Sequence, residues 1–447
     1  MPSITMMCNA TGARSRIVLR RSRRSWPRCG RSRRHREVRR CARYESANSM
    51  TNGAAAVNIS VSAKTREQSN TGGGRPVEPR RSRPVLWWAS FGALWLAFMT
   101  YVLTRWIAGP YFQRVPVGPS DPPMYMKVFL MTLQVTMIPV MAGLIWWFVI
   151  RPWRRERTIT VDGALTLAFS TLFFQDPLSN YFGPWITYNS WSFNRGSWVT
   201  SVPGWMSFGA PGATVVEPPM TIIGLYVVIM TVAVRIGVAT LRWASGRWPQ
   251  LGKVGLALIC WGVMFVFDVV FEGVTFMPLG VWTYAGGHLN IFADRYHAFP
   301  LHEAFLVGIL LTAYAFLRFF LDDRGRTMVE RGSERVKASP AGQGVIRALS
   351  IIGAVNMIFL VVYTLPHLFV GAHSREWNQD IQKRSYFLDG ICGAGTGRAC
   401  PGPVVPLVRN DNSGKDGGSA YVGSDGKLHT PAGSVLPAQV PLSGGTG

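Results

Sequence analysis

The sequence predicts an all-α integral membrane protein with about seven transmembrane helices. Three observations lead to this fold class: separate apolar runs of spanning length, a low share of charged residues, and basic residues concentrated in alternate loops. Of the 447 residues, 48% are hydrophobic and only 16% are charged. A run of about 20 apolar residues is as long as a helix that crosses the hydrocarbon core of a bilayer.

Seven such runs form a predicted transmembrane domain at residues 85–370. Most are free of charge in their central part, but Asp176 lies late in the third run, and Asp268 and Glu272 lie in the fifth. In chain order the predicted spans are 85–104, 128–150, 161–181, 218–240, 254–277, 300–320 and 348–370.

The loops between these runs predict the orientation of the chain. Short cytoplasmic loops of membrane proteins collect Lys and Arg. The loops on one side hold 15 basic residues, at 151–160, 235–253 and 318–347. The loops on the other side hold four, at 108–127, 176–217 and 280–303. We therefore expect a multi-pass protein of the cell membrane, with a cytoplasmic N-terminus and an extracytoplasmic C-terminus.

The formal net charge of +24 comes mostly from a basic leader at residues 1–84. Residues 1–49 contribute +12 and residues 50–84 contribute +4, so the rest of the chain carries only +8. We therefore expect membrane lipids as partners and no nucleic acid. Three interpretations of the leader remain open: a disordered tail at anionic lipid, a targeting peptide that lacks the usual apolar region, or a mis-assigned start upstream of Met50.

The C-terminal tail, residues 371–447, is rich in Gly, Pro and Ser, which predicts a mostly disordered segment. Cys392 and Cys400 lie close together in it, on the side of the membrane expected to be oxidising. The spacing favours a disulfide between them over two free thiols.

An aromatic segment at residues 181–205 carries four Trp, two Tyr and two Phe around a single Arg. Two interpretations are open: an interfacial belt of rings at headgroup depth, or a lid that stacks on an apolar ligand. The lid interpretation gives a set of candidate substrate-binding residues that includes two from the next outer loop: Trp185, Trp191, Arg195, Trp198, Tyr284 and His297.

Two carboxyls four residues apart, Asp268 and Glu272, lie in the apolar stretch 265–284. At helical spacing both project from one face. Ionisable groups inside a membrane are costly and mark functional sites, although they can also fix helix packing. Neighbouring carboxyls in an apolar pocket cannot easily both ionise, so one is expected to stay protonated and the other charged.

Such a pair predicts acid–base chemistry on an apolar substrate, with no cofactor and no metal. Asp176 and Glu303 are expected near the same outer membrane boundary, so the candidate catalytic residues are Glu272, Asp268, Asp176 and Glu303. We expect Glu272 to be the acid. The sequence lacks the nucleotide-binding, zinc-protease and serine-hydrolase motifs. A metal site at His288, His297 and His302 remains open, although their spacing is irregular.

Several long strings in the chain resemble the AveC-type spirocyclase family of actinobacterial membrane proteins. They are GPYFQRVPVGPSDPPMYMKV (109–128), RPWRRER (151–157), FFQDPLSNYF (173–182), NRGSW (194–198), FDVVFEG (267–273), RFFLDDRGRTMVERG (318–332) and DIQKRSYFLDGICG (380–393). The resemblance implies a role in polyketide biosynthesis, where a dihydroxy-ketone is closed to a spiroketal and, in some members, also dehydrated. It supplies no set of catalytic residues.

Two other functions remain open. In a proton-coupled transporter, Asp268 and Glu272 would be relay sites, although the odd number of spans and the lack of an internal repeat do not favour this class. A non-catalytic scaffold or lipid-binding partner of a biosynthetic complex is the second alternative. The oligomeric state does not follow from the sequence.

Overall fold

The computed structural model describes residues 84–205, 216–373 and 375–401, together with 421–422, 425 and 427–429. The basic leader, with the three interpretations given for it, lies outside the described residues, as does most of the tail predicted to be disordered.

Seven α-helices of eight or more residues form the body of the described chain. They are α1 Pro84–Ile107, α2 Met124–Glu156, α3 Val161–Phe169, α4 Pro219–Arg247, α5 Lys253–Phe276, α6 Leu301–Phe319 and α7 Pro340–Ala372. All except α3 are long and apolar enough to cross a membrane, which gives six such helices among the described residues. A four-residue helix, α8, covers Gln379–Gln382.

Short 3₁₀-helices and strands lie in the connections. The 3₁₀-helices are Leu172–Asn180, Trp198–Ser201, Met328–Glu330, Ser333–Arg335 and Ser385–Phe387. The strands form antiparallel pairs: β1 Thr187–Tyr188 with β2 Trp282–Thr283, β3 Asn290–Ile291 with β4 Phe299–Pro300, and β5 Tyr421–Val422 with β6 Leu428–His429.

The third predicted span is not one continuous helix. After α3 the chain turns at residues 170–171 and continues as the 3₁₀-helix Leu172–Asn180. The Thr171 hydroxyl donates to the Ala168 carbonyl at 2.6 Å, which competes with the backbone bonds that would extend α3. Pro177 follows and has no N–H to donate. The structure therefore has six helices of spanning length against the seven predicted.

Three of the six helices of spanning length contain a π-helical segment, and each segment ends two residues before a proline. The turns cover Trp146–Ile150, Val269–Phe276 and Leu360–Thr364, and the prolines are Pro152, Pro278 and Pro366. A proline ring clashes with the carbonyl four residues earlier, so the preceding turn cannot stay regular. Two of these turns carry residues of the site described below, and π-helical turns recur at functional sites.

One end of the helices, the basic end, is formed by the start of α1, the end of α2 and the connections 157–160, 248–252 and 320–339. The Val85 amide donates to the Arg331 carbonyl at 3.3 Å. Arg318 at the end of α6 pairs with Asp162 at the start of α3, with 2.7 Å between Nε and Oδ1. These contacts hold the helix ends and connections of the basic end together.

The opposite end, the aromatic end, is formed by residues 108–123, 181–205, 216–218, 277–300 and 375–401. The Ser190 amide donates to the Tyr386 carbonyl at 2.8 Å, and the Tyr296 amide donates to Asp380 Oδ2 at 2.9 Å. Cys392 and Cys400, the pair that the spacing favoured, are joined in a disulfide. Residues 375–401 of the tail are therefore folded against the loops of the aromatic end.

Helices α1 and α7 approach each other closely at a pair of glycines. A Cβ atom on Gly92 would lie 2.2 Å from the Leu349 carbonyl oxygen, and one on Gly353 would lie 2.2 Å from the Trp88 carbonyl oxygen. Only glycine permits this backbone contact, which is the way small residues bring membrane helices together.

Candidate active site

A cavity with about 670 Å³ of empty volume lies between α4, α5, α6 and α7. Its wall is mostly apolar and aromatic, with a few polar groups, which is the typical lining of a small-molecule site. It is lined by Asp176, Ile186, Tyr188, Ile222, Leu225, Tyr226, Ile229, Met230, Phe267, Asp268, Phe271, Glu272, Trp282, Tyr284, Val307, Leu310, Leu311, Phe359 and Tyr363.

Asp176 reaches the cavity from the 3₁₀-helix that replaces the end of the third predicted span. The residue is 4% exposed, and its carboxyl accepts two phenolic hydrogen bonds. Tyr226 of α4 donates to Oδ1 at 2.6 Å, and Tyr188 of β1 donates to Oδ2. Two donated hydrogen bonds stabilise the ionised form of a buried carboxyl.

Glu272 and Glu303 meet at one phenol. Glu272 lies in the π-helical turn of α5, and Glu303 lies in the first turn of α6. The Tyr284 hydroxyl is 2.5 Å from Glu272 Oε2 and 3.1 Å from Glu303 Oε1. Glu272 and Tyr284 line the cavity, whereas Glu303 is fully buried behind them.

His367 supports Glu303 from α7. Its Nε2 atom lies 2.7 Å from Glu303 Oε2, and both side chains are completely buried. Trp185 stacks on the imidazole with ring centroids 4.4 Å apart and on Tyr284 with centroids 5.0 Å apart. The Trp185 indole therefore restricts the positions of the His367 and Tyr284 rings.

Asp268 lines the cavity one turn before Glu272, at the end of the regular part of α5. It is 2% exposed, and its Oδ2 atom has no hydrogen-bond partner among the described residues. An oxygen left in this state is free to bond to a molecule in the cavity.

The two phenols that come from the loops act as hydrogen-bond donors. Burial, together with the nearby Asp176 carboxylate, raises the pKa of Tyr188 well above its usual value. Burial also raises the pKa of Tyr284 well above its usual value, and the carboxylates of Glu272 and Glu303 add to the effect. Both phenols therefore stay protonated at neutral pH.

The structure brings the four predicted catalytic carboxyls together around the cavity, but it separates the predicted substrate-binding residues. Tyr284 lines the cavity and Trp185 packs behind it. Trp198 is buried against Trp106, and its Nε1 donates to the Phe174 carbonyl at 3.0 Å.

The other three lie apart from the cavity. Trp191 is half-buried in the same hydrophobic cluster as Trp198, and Arg195 is exposed above Phe112. His297 packs on Phe292 and Tyr296. Most rings of the aromatic segment thus pack into the protein. Among its four tryptophans, Trp185 is the one that contacts Tyr284 and His367, the partners of the buried glutamates.

Several residues of the site were not predicted from the sequence: Tyr188, Tyr226, Trp282, Tyr363 and His367. Tyr226 and Tyr363 are single phenols in otherwise apolar runs, and His367 lies near the end of the seventh run. A polar side chain inside a spanning run was therefore the available signal. In the part of the chain that the structure describes, no group of three or more His, Cys, Asp and Glu side chains is arranged to hold a metal ion.

The fold and the site together define a class of protein: a mostly helical chain, with six helices suited to crossing a membrane, that encloses an apolar cavity bordered by carboxyls and phenols. The chain belongs to the AveC-like spirocyclase family, whose model, described as spirocyclase AveC-like, matches residues 154–387. This range contains all four carboxyls and His367. No curated protein and no solved structure matches the chain.

Proposed function

We propose that the protein is a membrane-embedded cyclase or dehydratase that acts by acid–base chemistry on an apolar, polyketide- or lipid-like substrate. The family supports a spirocyclase-related role, and spiroketal formation is the reaction that we assign to it. The observation that carries the proposal is the meeting of three carboxyls and four phenols at one otherwise apolar cavity, with a fourth carboxyl, Glu303, buried directly behind Tyr284. The reaction needs only proton transfer and a shaped, dry pocket.

We also propose that the chain crosses the membrane seven times, with the basic end in the cytoplasm. The seventh crossing is α3 with the 3₁₀-helix that follows it. Asp162 at the start of α3 contacts Arg318 at the basic end, whereas Thr187, after the 3₁₀-helix, donates to the Phe387 carbonyl at the aromatic end. A broken segment of this kind is tolerated at membrane depth where other helices bury it.

The topology is tested by labelling single cysteines with a membrane-impermeant reagent in intact cells that make a variant without the native free cysteines. A cysteine at Gly418 should be labelled and one at Gly325 should not. The reverse pattern would overturn the orientation.

Glu272 is the group that we assign as the acid. A phenol carries one proton, so Tyr284 can donate to only one of its two carboxyl neighbours at a time. The other carboxyl can hydrogen-bond to the Tyr284 oxygen only if it is itself protonated and donates that proton. Glu303 already lies 2.7 Å from a histidine nitrogen, which leaves Glu272 as the protonated member that faces the cavity.

Asp176 is the group that we assign as the base. It lines the cavity, and its two phenolic donors stabilise it as a carboxylate. Glu303, the other candidate, does not line the cavity, so it contacts the substrate less directly. Asp268, with its unpartnered oxygen, would orient the substrate hydroxyls.

The proposed step starts from a hemiketal formed by one hydroxyl and the ketone of the substrate. Glu272 donates its proton to the hemiketal hydroxyl, the C–O bond breaks, and water leaves. The second hydroxyl attacks the resulting oxocarbenium carbon, a new C–O bond forms, and Asp176 accepts the hydroxyl proton. Phe267, Phe271 and Trp282 line the cavity, and their rings would stabilise the developing cation.

Turnover of a synthetic dialkyl dihydroxy-ketone by the purified protein in detergent tests the proposal. Because such ketones also close without an enzyme, the readout is both the rate and the enantiomeric excess of the spiroketal. The matched control is Asp389→Asn, a buried carboxyl that does not line the cavity. A racemic product at the uncatalysed rate would exclude the cyclase for this substrate class, and accumulation of the unchanged probe in sealed vesicles would indicate a carrier.

A further inference from the structure

We propose that the cavity opens sideways into the membrane between α4 and α5, and that the substrate enters through this mouth from the lipid. The substrate is then a membrane-dissolved amphiphile, with its hydroxylated section at the carboxyls and an apolar chain in the mouth. The inference rests on the proposed membrane-embedded function, and it adds the route and the physical class of the substrate.

The exposure of the cavity wall gives the position of the mouth. The described lining residues from α6, α7 and the loops are all buried, whereas those that are half-buried belong to α4 and α5. The half-buried lining residues are Tyr226, Ile229, Phe267, Phe271 and Glu272. The cavity therefore reaches the surface of the protein along these two helices.

Two other helix junctions around the cavity are held by close contacts. Helix α5 meets α6 at Gly308, where a Cβ atom would lie 3.3 Å from the Phe265 amide nitrogen. Helix α6 meets α7 where the Tyr314 hydroxyl donates to the Val355 carbonyl at 2.9 Å. The back of the cavity is therefore closed by packed helices.

Helix α4 contacts α5 towards the basic end and α7 towards the aromatic end. A Cβ atom on Gly237 of α4 would lie 3.5 Å from Cys260 Sγ of α5. Farther towards the aromatic end, the Tyr226 ring of α4 packs on Phe359 of α7, with centroids 5.8 Å apart. The mouth between α4 and α5 therefore lies on the aromatic side of the Gly237 contact.

The rim of the mouth continues into apolar surface at membrane depth. Ile229 shares a helix face with Val232, which is 43% exposed, and Phe267 shares one with Val270, which is 53% exposed. Ile229 lies ten residues after Pro219, the start of α4, which is about 15 Å along the helix axis. Since the hydrocarbon core is about 30 Å thick, the rim meets acyl chains.

The polar groups of the cavity lie mostly behind this rim. Asp176, Asp268 and Tyr188 are buried, and Glu272 stands half-buried at the border between rim and interior. Hydroxyl groups of a substrate find hydrogen-bond partners only in the interior, whereas an apolar chain is equally well solvated in the mouth and in lipid. The arrangement therefore favours an amphiphile that enters with its hydroxyl groups first.

The test uses a probe that the proposed reaction cannot change: a long-chain alkane-1,2-diol with a photoreactive diazirine beside the diol. The protein is reconstituted in phospholipid vesicles that contain the probe, irradiated briefly, and mapped by mass spectrometry. Labelling of Leu311, which is 1% exposed at the back of the cavity, reports entry. Labelling of Leu258, which is 63% exposed on α5, reports the probe in the surrounding lipid.

Ile229→Trp is the main variant, because an indole at the rim fills the mouth. We expect the labelling of Leu311, relative to that of Leu258, to fall on the order of tenfold. Val232→Trp is the matched control: it places the same ring one turn farther along the same face of α4, at an exposed residue that does not line the cavity. It should leave the labelling of Leu311 unchanged.

Ile229→Ala is the opposite variant, which widens the mouth and should raise the labelling of Leu311 above that of the wild type. Equal labelling of Leu311 in Ile229→Trp and Val232→Trp, or none in the wild type, would overturn the mouth. If Ile229→Trp does not fold, the absence of a rise in Ile229→Ala would overturn it. The expected labelling pattern without turnover of the dihydroxy-ketone would support the mouth and count against the cyclase alone.

Discussion

The carboxyls of the basic end and those of the cavity differ in the side chains that they contact. At the basic end, Glu330 is 1% exposed and lies 2.7 Å from Arg347, and Asp162 lies 2.7 Å from Arg318. Arginine stays charged at any physiological pH, so each of these carboxyls lies beside a permanent cation.

The cavity carboxyls have proton-exchanging partners instead. In the described residues, Asp176, Glu272 and Glu303 contact tyrosine hydroxyls and one histidine. A phenol or an imidazole can take up or give off a proton, whereas a guanidinium cannot. The carboxyls of the basic end therefore differ in their partners from the carboxyls that we propose for proton transfer.

The largest expected effect is on stability, at the basic end. Arg347→Met leaves Glu330 buried without its cation, so the free energy of unfolding should fall by about 3–5 kcal/mol. Thermal unfolding in detergent measures this loss, and the double variant Glu330→Gln/Arg347→Met should recover most of it. The enantiomeric excess obtained with the folded fraction should not change, and a loss of it would show that the basic end takes part in the chemistry.

The next effect is on turnover, at the cavity. Glu272→Gln keeps the size and the hydrogen bonding of the side chain but removes its transferable proton, so the rate should fall on the order of 100-fold or more. Its thermal unfolding should stay close to that of the wild type. If the variant is instead active and less stable, Glu272 belongs with Glu330 as a structural carboxyl, and the contrast between the two regions fails.

A smaller effect is expected where α1 meets α7. Gly92→Ala places a methyl group against the Leu349 carbonyl oxygen, so the helices must separate, at a cost of about 1–3 kcal/mol. Gly143→Ala is the matched control, because a Cβ on Gly143 meets nothing within 4 Å. Equal stability of the two variants would contradict the close contact of α1 and α7.

The smallest effect is expected at Asp389, a carboxyl buried at the aromatic end without an arginine partner among the described residues. Burial raises the pKa of Asp389 well above its usual value. Because its pKa is higher in the folded state than in the unfolded state, protonated Asp389 contributes to the free energy of unfolding. This contribution is complete below the unfolded-state pKa and is lost as the pH rises through the folded-state pKa. The unfolding temperature of Asp389→Asn should therefore decrease less than that of the wild type between acidic and neutral pH. An equal decrease in both proteins would contradict the raised pKa of Asp389.

The spans and the acids were predictable from local pattern. Apolar length alone predicts where α1, α2, α4, α5, α6 and α7 lie, because a bilayer requires a fixed length of helix. Carboxyls are rare in and beside such runs, and this rarity alone pointed to the four candidate acids, which are Asp176, Asp268, Glu272 and Glu303.

The pairing of each carboxyl was decided by the tertiary structure. Glu303 meets His367, 64 positions later in the chain, and Asp176 meets Tyr226, because helix packing brings distant residues together and no local pattern encodes that. The break after α3 and the placement of most aromatic rings inside the protein were also missed, since burial by neighbouring helices removes the need for a continuous span. By itself the sequence determined that acids lie within the apolar, helical region. Only the packing decided which of them face arginine and which face a group that can move a proton.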